Sequence, residues 1–289
     1  MTGGVVCAGR LYCDLILGGI DAMPEMGKER YAADFSAHAG GGAFITAAHF
    51  AALGRRSHLL AEVPEGPFAD LLLDDLRVSG VEVVTCGGSG STPQLTVAMV
   101  GERDRAFLTH RAGPAIPADG AGHIAGLHAA HLHIGELPTA LDHPDLLHAA
   151  RGAGMTISLD CGWDEAAFAD PRVDGILRQV DVFLPNAPEA AALVEAGVAL
   201  EACPLTIVKQ GANGASAYRG GKVLHRGTAA VRVVDPTGAG DAFNAGAVHA
   251  WLRGAPLEEC LAAGNAQGAA AVARRGGATN IAPVAAVVS

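Results

Sequence analysis

The chain is short of charged and aromatic residues and has no regular cysteine spacing. Of its 289 residues, 17% are charged and 4% are aromatic, and its six cysteines include no Cys-x-x-Cys pair. Such scattered cysteines are typical of reduced, buried thiols, so we expect no disulfide framework. No apolar run approaches the length of a membrane span, and the amino terminus lacks a basic region followed by an apolar core. These absences predict a cytoplasmic globular protein.

The net charge of −10 disfavours nucleic acid or an anionic membrane as the main partner, because phosphate-rich surfaces select basic faces. It does not exclude ATP, which local amides and a metal ion can bind. Half of the residues are apolar and 39 are glycine, a composition typical of an ordered protein that is rich in turns. A chain of this length can bury a large core. We expect a single domain over residues 1–289.

Short β-type runs alternate with helical runs along the chain. The predicted strands are Val5–Ala8, Ser57–Ala61, Val81–Thr85, His131–Ile134, Thr156–Asp160, Val180–Leu184 and Thr206–Lys209. The predicted helices are Ala43–Leu53, Phe68–Ser79, Pro144–Ala153, Pro188–Ala196 and Leu257–Arg274. This rhythm predicts an α/β fold with an open, mainly parallel β-sheet and helices on both faces. Its site is expected at the carboxyl ends of the strands.

Two segments interrupt this alternation with paired strands and no helix between them. They are Leu11–Ile20 with Arg30–Ala37, and Gln94–Val100 with Arg105–His110. A turn at 101–104 connects the second pair. Strands that leave the main sheet can form a small separate sheet over the site. We therefore predict a small β-sheet lid, inserted at about 11–37 and 94–111.

A turn of small residues lies between an apolar run and a helical run late in the chain. It reads Asp235-Pro236-Thr237-Gly238-Ala239-Gly240-Asp241, and Val231, Val233 and Val234 before it predict an entering strand. Small residues and the unpaired amides of a helix start suit a bound phosphate. A carboxylate there would repel phosphate, and a general base for an attacking hydroxyl explains Asp241. The alternative is a first-turn Asp that only offsets the helix dipole.

Two further motifs follow predicted strands. Asn186 and Glu189 have the spacing of a capping box at a helix start. Lys209 ends a strand and is followed by Gly211 and Gly214. Both motifs would lie at the carboxyl edge of a parallel sheet, beside the Asp241 turn.

Twelve histidines raise the question of a metal site. His131 and His133 alternate on a predicted strand, with His123 and His128 upstream. No cysteine or carboxylate stands nearby at a typical ligand spacing, and no His-Glu-x-x-His motif occurs. A histidine metal site is therefore not favoured.

The segment Asp235–Asp241 closely resembles the signature of the ribokinase-like sugar kinases, the PfkB carbohydrate kinase family. The resemblance implies a ribokinase-like fold and ATP-dependent phosphorylation of a small carbohydrate. Asp241 would be the general base, and the amides of Gly238, Ala239 and Gly240 would form the anion hole. The family's lid closes over substrate and often pairs between subunits. Because an uncovered sheet edge favours pairing, we expect a homodimer through the lid.

On the acceptor side, the resemblance implies a set of sugar contacts. They are Asp14, Gly40, Gly41, Arg111, Glu136 and Asp241 itself. The glycine pair lets a sugar approach the backbone, and a carboxylate such as Asp14 can accept bonds from two hydroxyls. Arg111 stands where acid-sugar kinases of the family use an arginine, although a surface charge is an equal alternative. Glu136 stands where ribokinases use a glutamate to hold substrate.

Two departures from the family pattern affect the substrate prediction. Ile45 and Tyr12 stand where ribokinases carry asparagine. The standard sugar contacts are therefore incomplete, and ribose is not fixed as the substrate.

On the donor side, the resemblance implies ATP contacts and two kinds of cation. The ATP contacts are Asn186, Lys209, Gly211, Gly214, Thr237, Gly240 and Asn265. Glu189 would hold Mg²⁺ through water, which suits an ion that keeps several waters. Asp235 and Thr237, with carbonyls around 272–277, would bind a monovalent cation such as K⁺.

Three alternatives stay open at this point. The same chemistry could act on a nucleoside or a vitamin-like alcohol, as the Ile45 and Tyr12 departures allow. A non-catalytic ligand sensor could use the same fold, although the intact Asp241 argues against it. A dinucleotide-dependent oxidoreductase is disfavoured, because no Gly-x-Gly-x-x-Gly fingerprint with a downstream acidic residue occurs early in the chain.

Overall fold

The computed structural model describes residues 3–84, 94–101, 105–274, 276–278 and 281. These residues form two β-sheets, one of nine strands and one of four. The strands are β1 Gly4–Ala8, β2 Tyr12–Ile20, β3 Asp34–Gly40, β4 Ser57–Leu60, β5 Val81–Val83, β6 Leu95–Gly101, β7 Arg105–His110, β8 Ala129–Ile134, β9 Thr156–Asp160, β10 Val182–Leu184, β11 Thr206–Lys209, β12 Ala215–Arg219 and β13 Lys222–Arg226.

The helices lie on both faces of the larger sheet, as predicted. They are α1 Gly42–Ala52, α2 Ala69–Ser79, α3 Gly120–His123, α4 Leu137–Asp142, α5 Asp145–Gly152, α6 Glu165–Phe168, α7 Val173–Leu177, α8 Ala187–Glu195, α9 Ala239–Trp251 and α10 Leu257–Val272. Short 3₁₀ turns occupy Ile124–Leu127, Leu200–Ala202 and Gly211–Asn213. Among the described residues, no helix is both long enough and apolar enough to span a membrane.

The larger sheet has the strand order β13-β12-β11-β10-β9-β8-β1-β4-β5. Pairing is parallel from β11 to β5, and β12 and β13 extend that sheet as an antiparallel edge. The parallel strands therefore share one carboxyl edge, where the loops after β1, β8, β9, β10 and β11 meet. The prediction of an open, mainly parallel sheet with helices is confirmed.

Side chains of β1 alternate between two buried clusters, one on each face of the sheet. Val5 and Cys7 pack with the clusters of α1, α2 and α9, while Val6 and Ala8 pack toward α4, α5 and α7. A strand that is buried on both faces reads as a continuous apolar run, which is the pattern expected for a central parallel strand.

The smaller sheet has the order β3-β2-β6-β7. Each predicted hairpin pairs antiparallel, and the two hairpins are joined by parallel pairing of β2 with β6. The strand predicted at Arg30–Ala37 lies further along the chain in the structure. β3 runs from Asp34, opposite Gly18, to Gly40, opposite Tyr12. The predicted turn at 101–104 lies largely outside the described residues.

The predicted strand before Asp235 is wrong. No strand forms between β13 and α9, and Val231, Val233 and Val234 are 43%, 58% and 50% exposed. Instead, the amides of Val234 and Asp235 both donate to the Val272 carbonyl, at 2.7 and 3.1 Å. These amides therefore pair with the end of α10 and not with the open edge of β13.

Helices α9 and α10 pack closely because glycines remove side chains from their interface. A Cβ placed on Gly246 would lie 2.6 Å from the Ala263 carbonyl oxygen, and one on Gly264 would lie 2.7 Å from the Phe243 ring. The ring could shift, but the Ala263 backbone could not move without moving α10. Gly246 therefore fixes how closely the helix that carries Asp241 approaches its neighbour.

We expect Gly246→Ala to lower the free energy of unfolding by about 1–3 kcal/mol, because the added methyl group overpacks against backbone. Urea unfolding monitored by circular dichroism measures this change. Gly175→Ala in α7 is the matched control, since a Cβ there meets no atom within 4 Å. The control should be neutral or stabilising by up to about 1 kcal/mol. Equal stability of the two variants would contradict this account of the interface.

Candidate functional site

Asp241 lies in the first turn of α9, directly after the small-residue turn. Gly238 precedes the helix with φ 73°, a left-handed conformation that favours glycine, and a Cβ there would lie 2.6 Å from Gly277 Cα. The Ala239 amide donates to the Pro236 carbonyl over a long 3.3 Å, and the Thr46 hydroxyl donates to the Asp241 carbonyl at 3.4 Å. The turn is thus held against the end of α10 and against α1.

The glycine run before α1 reaches Asp241 from the other side. A Cβ on Gly42 would lie 3.0 Å from both Asp241 Oδ1 and the Gly135 carbonyl oxygen. Gly41 has φ 97°, and a Cβ there would collide with the Arg10 carbonyl. The residues after β1, β3 and β8 therefore converge beside the Asp241 carboxylate, and only glycine permits this approach.

Lys209 lies beneath the Asp241 turn in a buried ion pair. Its ammonium nitrogen lies 2.8 Å from Asp160 Oδ1 and 3.2 Å from Asn244 Oδ1. Asp160 also accepts from Asn244 Nδ2 at 2.6 Å and from the Cys161 amide at 2.8 Å. Asp160 ends β9 and Lys209 ends β11, while their hydrogen-bond partner Asn244 lies on α9. The ion pair therefore ties the sheet edge to the helix that carries Asp241.

Carboxylates crowd this edge of the sheet. Burial, together with the charges of Asp160, Glu189 and Asp14 and against the opposing charge of Lys209, raises the pKa of Asp241 to about 7. Burial also raises the pKa of Glu189, and Asp160 adds to that effect. Burial alone would lower the pKa of Lys209, but Asp160 and Glu189 hold it above its ordinary value. The site is therefore strongly negative and suited to a cation.

A cavity of about 460 Å³ lies between the Asp241 turn and the end of β11. Its lining includes five of the residues predicted to bind ATP: Lys209, Gly211, Gly214, Gly240 and Asn265. The Asn265 amide nitrogen donates to the carbonyls of Arg226 and Gly227, at 3.0 and 3.3 Å, which holds the edge strand against α10. Val231 and Val233 form part of the apolar wall. The cavity can hold a flat ring against apolar side chains.

Asn186 and Glu189 form the capping box that their spacing predicts. Asn186 Oδ1 accepts the Glu189 amide at 2.9 Å, and Glu189 Oε2 accepts the Asn186 amide at 2.7 Å. A second cavity of about 630 Å³ is lined by Asn186, Lys209 and Gly211, among others. Both residues thus cap α8 and also face the same edge as Lys209.

The carboxylates here are the kind of ligand that Mg²⁺ prefers, but the described residues hold no group of three or more side chains arranged to ligate a metal directly, so a magnesium ion would be bound largely through water. A bound cation would stabilise the ionised carboxylates of Glu189 and Asp241, whose pKa values burial raises. The monovalent site is less well prepared, because the Val272 carbonyl already accepts two amides. Asp235 accepts the amides of Thr237 and Gly276, each at 2.9 Å. Both cations stay predictions.

Asp14 lies on the lid, where β2 runs between β3 and β6. Its carboxylate packs directly over Gly40, so any side chain on that glycine would collide with it. Burial raises the pKa of Asp14 to about 6; a hydrogen bond from Thr96 opposes this and Asp235 adds to it. Asp14 in turn raises the pKa of Asp241, so the two carboxylates influence each other's ionisation.

Five further polar side chains contact one another in the loops after β1, β8 and β9 and on the lid. They are Arg10, Tyr12, Arg111, Glu136 and Asp164. Arg111 Nη1 lies 2.7 Å from Asp164 Oδ2; burial alone would lower the pKa of Arg111, but Asp164 and the nearby Tyr12 hold that pKa above its ordinary value. Arg10 Nε lies 3.3 Å from Glu136 Oε1. Arg111 and Glu136 were candidates from the sequence, and the structure brings both together with three residues that were not.

Sequence patterns assigned no role in the site to Asp160, Asn244, Arg10 or Asp164. Asp160 ends β9 at the carboxyl edge, and a carboxylate in that position is the signal that could have marked it. Asn244 follows Asp241 by three residues, so helical spacing places both on one face of α9. Nothing local marks Arg10 or Asp164, because their partners lie far away in the sequence.

The histidine pair of β8 is structural. His131 hydrogen-bonds Thr156 and Ser158, each at 2.8 Å, and His133 hydrogen-bonds Ser158 at 2.8 Å. Burial lowers the pKa of His133 to about 4, which keeps it neutral. Within the described ranges, no group of three or more His, Cys, Asp or Glu side chains has the geometry of a metal site.

Comparison with known proteins places these features in a family. The family model described as pfkB family carbohydrate kinase matches residues 5–284. A sugar kinase of uncharacterised specificity from Archaeoglobus fulgidus is 34% identical over 117 residues, which span 38% of this chain and 47% of that relative. An ATP-dependent ribose-1-phosphate kinase from Halopiger xanaduensis is 28% identical over 94% of this chain and 93% of its own length.

The fold also matches solved structures. The ribokinase of Arabidopsis thaliana, complexed with ribose and ATP, superposes with a TM-score of 0.77 at 20% identity, over 96% of this chain and 94% of that chain. At this identity the likeness concerns the fold, and it confirms the ribokinase-like architecture predicted from the sequence.

We expect Asp241→Asn to stabilise the protein at high pH. The folded protein keeps a proton on Asp241 up to a pH of about 7, whereas the ordinary value is 3.8. Stability is therefore lost as the pH rises between these values, and the neutral variant avoids that loss. We expect an advantage of about 1–3 kcal/mol at pH 8 that shrinks toward pH 4.

Urea unfolding at pH 4, 6 and 8 measures this difference. The control is Asp70→Asn, since Asp70 also lies in the first turn of a helix but is exposed to solvent. The control should show no growing advantage with pH. A wild-type protein that is more stable than Asp241→Asn at pH 8 would contradict the electrostatic description of the site.

Proposed function

Because this chain belongs to the pfkB family of carbohydrate kinases, we propose that it is an ATP-dependent phosphotransferase acting on a hydroxyl of a small carbohydrate. The observation that carries the proposal is the position of Asp241. Its carboxylate lies in the first turn of α9, directly after Ala239 and Gly240 of the apolar-walled cavity, and Gly42 of the glycine run lies against it. A base in that position can meet both substrates.

In this proposal, ATP lies in the cavity of about 460 Å³ with its phosphates directed at the turn. The amides of Gly238 and Gly240 donate to oxygens of the transferring phosphoryl group, joined by the Ala239 amide when it leaves its long 3.3 Å bond to the Pro236 carbonyl, and the positive end of α9 aids them. Lys209 adds a fixed positive charge close to Gly240, since a Cβ on Gly240 would lie 3.4 Å from the ammonium nitrogen. When bound, Mg²⁺ would neutralise phosphate charge, with Glu189 holding its waters.

The acceptor hydroxyl lies against Asp241 on the lid side. Asp241 removes the hydroxyl proton, the oxygen bonds to the γ-phosphorus, and the bond from that phosphorus to the leaving oxygen of ADP breaks. A base whose pKa is about 7 is well matched to this step at neutral pH. Asp14 and Glu136 are acceptors for other sugar hydroxyls. Lid closure excludes water, which would otherwise compete as the acceptor.

The lid sheet carries exposed apolar side chains. Phe35, Phe107 and Leu108 are 67%, 49% and 69% exposed, which supports the predicted homodimer through the lid.

A nucleoside or vitamin-like alcohol remains an alternative acceptor, and a non-catalytic sensor remains an alternative function. ATP binding without turnover on any acceptor would favour the sensor.

We expect Asp241→Asn to lower kcat by about two to four orders of magnitude, the range for loss of a general base. The measurement is acceptor-dependent ADP release from Mg-ATP across pentoses, hexoses, sugar acids and nucleosides. Asp70→Asn is the matched control and should turn over normally. Normal turnover by Asp241→Asn would overturn the assignment of the base.

The rate should also depend on pH through the same group. Only ionised Asp241 can accept a proton, so kcat/KM for the acceptor should rise about tenfold per pH unit below pH 7 and level off above it. Bound Mg²⁺ favours the ionised form and would move the midpoint to lower pH. Initial rates between pH 5 and 9, with the coupling enzymes in excess, test this profile. A rate that falls as the pH rises through this range would contradict it.

A further inference from the structure

Helix α2 carries a carboxylate that reaches off the helix to a strand of the lid. Leu72 and Leu76 bury one side of α2 in the apolar cluster that also holds residues of α1 and α9. Asp74 lies on the exposed side, where it forms an ion pair within the helix. Asp75 is half-buried, and its Oδ2 accepts the backbone amide of Ala39 at 2.7 Å. Two adjacent aspartates thus have different partners, one on their own helix and one on the smaller sheet.

Ala39 lies on β3, the edge strand of the smaller sheet. On its inner side β3 pairs with β2, and no strand of the described residues lies on its outer side. Amides on an open edge lack a strand partner, and the Asp75 carboxylate supplies an acceptor for one of them. A hydrogen bond from an amide to a carboxylate is among the stronger ones in a protein. The bond therefore attaches the lid to a helix that packs on the larger sheet; we call it the Asp75–Ala39 contact.

The Asp75–Ala39 contact stands immediately before the glycine run. The three glycines that follow Ala39 lead directly into α1. The Asp14 carboxylate packs on the first of them, and a Cβ on the third, Gly42, would lie 3.0 Å from Asp241 Oδ1. Glycine has wide conformational freedom, so such a run keeps a fixed path only when both of its ends are held. α1 holds one end, and the Asp75–Ala39 contact holds the other.

We propose that Asp75 is a positioning residue for the acceptor side of the site: it holds the end of β3 and thereby keeps Asp14 and the glycine run in place beside Asp241. This inference rests on the proposed kinase function, in which Asp14 accepts a bond from an acceptor hydroxyl. Asp75 itself touches neither substrate. It acts through the backbone of Ala39, from a helix that packs with α1 and α9.

The two sides of the site should respond differently to loss of this contact. The acceptor side depends on the path of the chain from Ala39 to Gly42. Among the described residues that line the cavity of about 460 Å³ proposed for ATP, none comes from α2 or β3. Loss of the Asp75–Ala39 contact should therefore weaken use of the acceptor and leave ATP binding nearly unchanged.

Cys13 can report whether the contact is intact. It stands opposite Ala39 in the register of β2 and β3, next to Asp14, and its side chain is fully buried. Burial, together with the charges of Asp14 and Asp75, raises the pKa of its thiol to about 11. A thiol that is buried and protonated reacts slowly with alkylating agents. The alkylation rate of Cys13 therefore measures how often this part of the lid opens.

Labelling of Cys13 with iodoacetamide under native conditions, read out by peptide mass spectrometry, tests the contact itself. We expect Asp75→Ala to raise the labelling rate by about tenfold or more, the size of one hydrogen bond to a charged group. Asp75→Asn removes the same charge but keeps an acceptor oxygen for the Ala39 amide. Its rate should therefore stay within about threefold of the wild-type rate.

Two controls accompany the labelling. Asp74→Ala removes the neighbouring carboxylate of the same helix and should label at the wild-type rate. Cys161, which is buried directly after β9, is the internal reference. Global unfolding would expose both thiols, whereas loss of the Asp75–Ala39 contact should expose Cys13 alone.

Steady-state kinetics with the best acceptor of the panel tests the positioning role. We expect Asp75→Ala to raise KM for the acceptor by about five- to tenfold, while KM for ATP stays within about twofold. Asp75→Asn should restore most of the acceptor affinity, and Asp74→Ala should match the wild type. A purely structural role would lower the fraction of active protein, which changes kcat and neither KM.

Two results would overturn the inference. One is Cys13 labelling that is equally fast in Asp75→Ala and in the wild-type protein, because the contact would then hold nothing. The other is an unchanged acceptor KM in Asp75→Ala despite faster labelling, because the contact would then have no part in the site. If the wild-type protein releases ADP with no acceptor, the proposed function fails, and the acceptor-side role of Asp75 fails with it. Labelling does not depend on turnover and still decides whether the contact holds the lid.

Discussion

The buried ion pair between Lys209 and Asp160 is the interaction on which the site depends. It places one ammonium group among the carboxylates of Asp160, Glu189 and Asp241, which would otherwise repel one another at the end of the sheet. A buried ion pair is costly unless its other hydrogen-bonding positions are also satisfied, and Asn244 and the Cys161 amide satisfy them here. Because these groups lie on β9, directly after it, on β11 and on α9, the electrostatics of the site also fix the position of the helix that carries Asp241.

Around this pair, glycines stand where two segments of the chain approach each other closely. Gly42 lies beside Asp241, Gly40 lies under Asp14, and Gly246 brings α9 against α10. At each of these glycines the backbone touches either a carboxylate or a neighbouring helix, so one added methyl group would push the two segments apart. As a result Asp241, the proposed base, lies directly after the turn that borders the apolar-walled cavity, with the start of α1 packed against its carboxylate.

Much of the fold could be predicted because it follows from local patterns. Apolar runs that alternate with helical runs predicted the parallel sheet, and Asn186 with Glu189 predicted a capping box that the structure contains. The strand predicted from Val231 to Val234 does not form. Valines are common in strands, but here Val231 and Val233 line the cavity, and the Val234 amide bonds the end of α10. Asp160 and Asp164 were missed for a related reason: their meaning lies in contacts with Lys209 and Arg111, which are 49 and 53 residues away.

The sequence by itself determined the class of fold, the small-residue turn and the place of Asp241 at its end. These are properties of neighbouring residues, which restrict the backbone whatever lies around them. Only the tertiary structure decided the ionisation of Asp241 and the pairing of Arg111 with Asp164. Both depend on burial and on charges brought together from distant parts of the chain, and no local pattern encodes a distance between them.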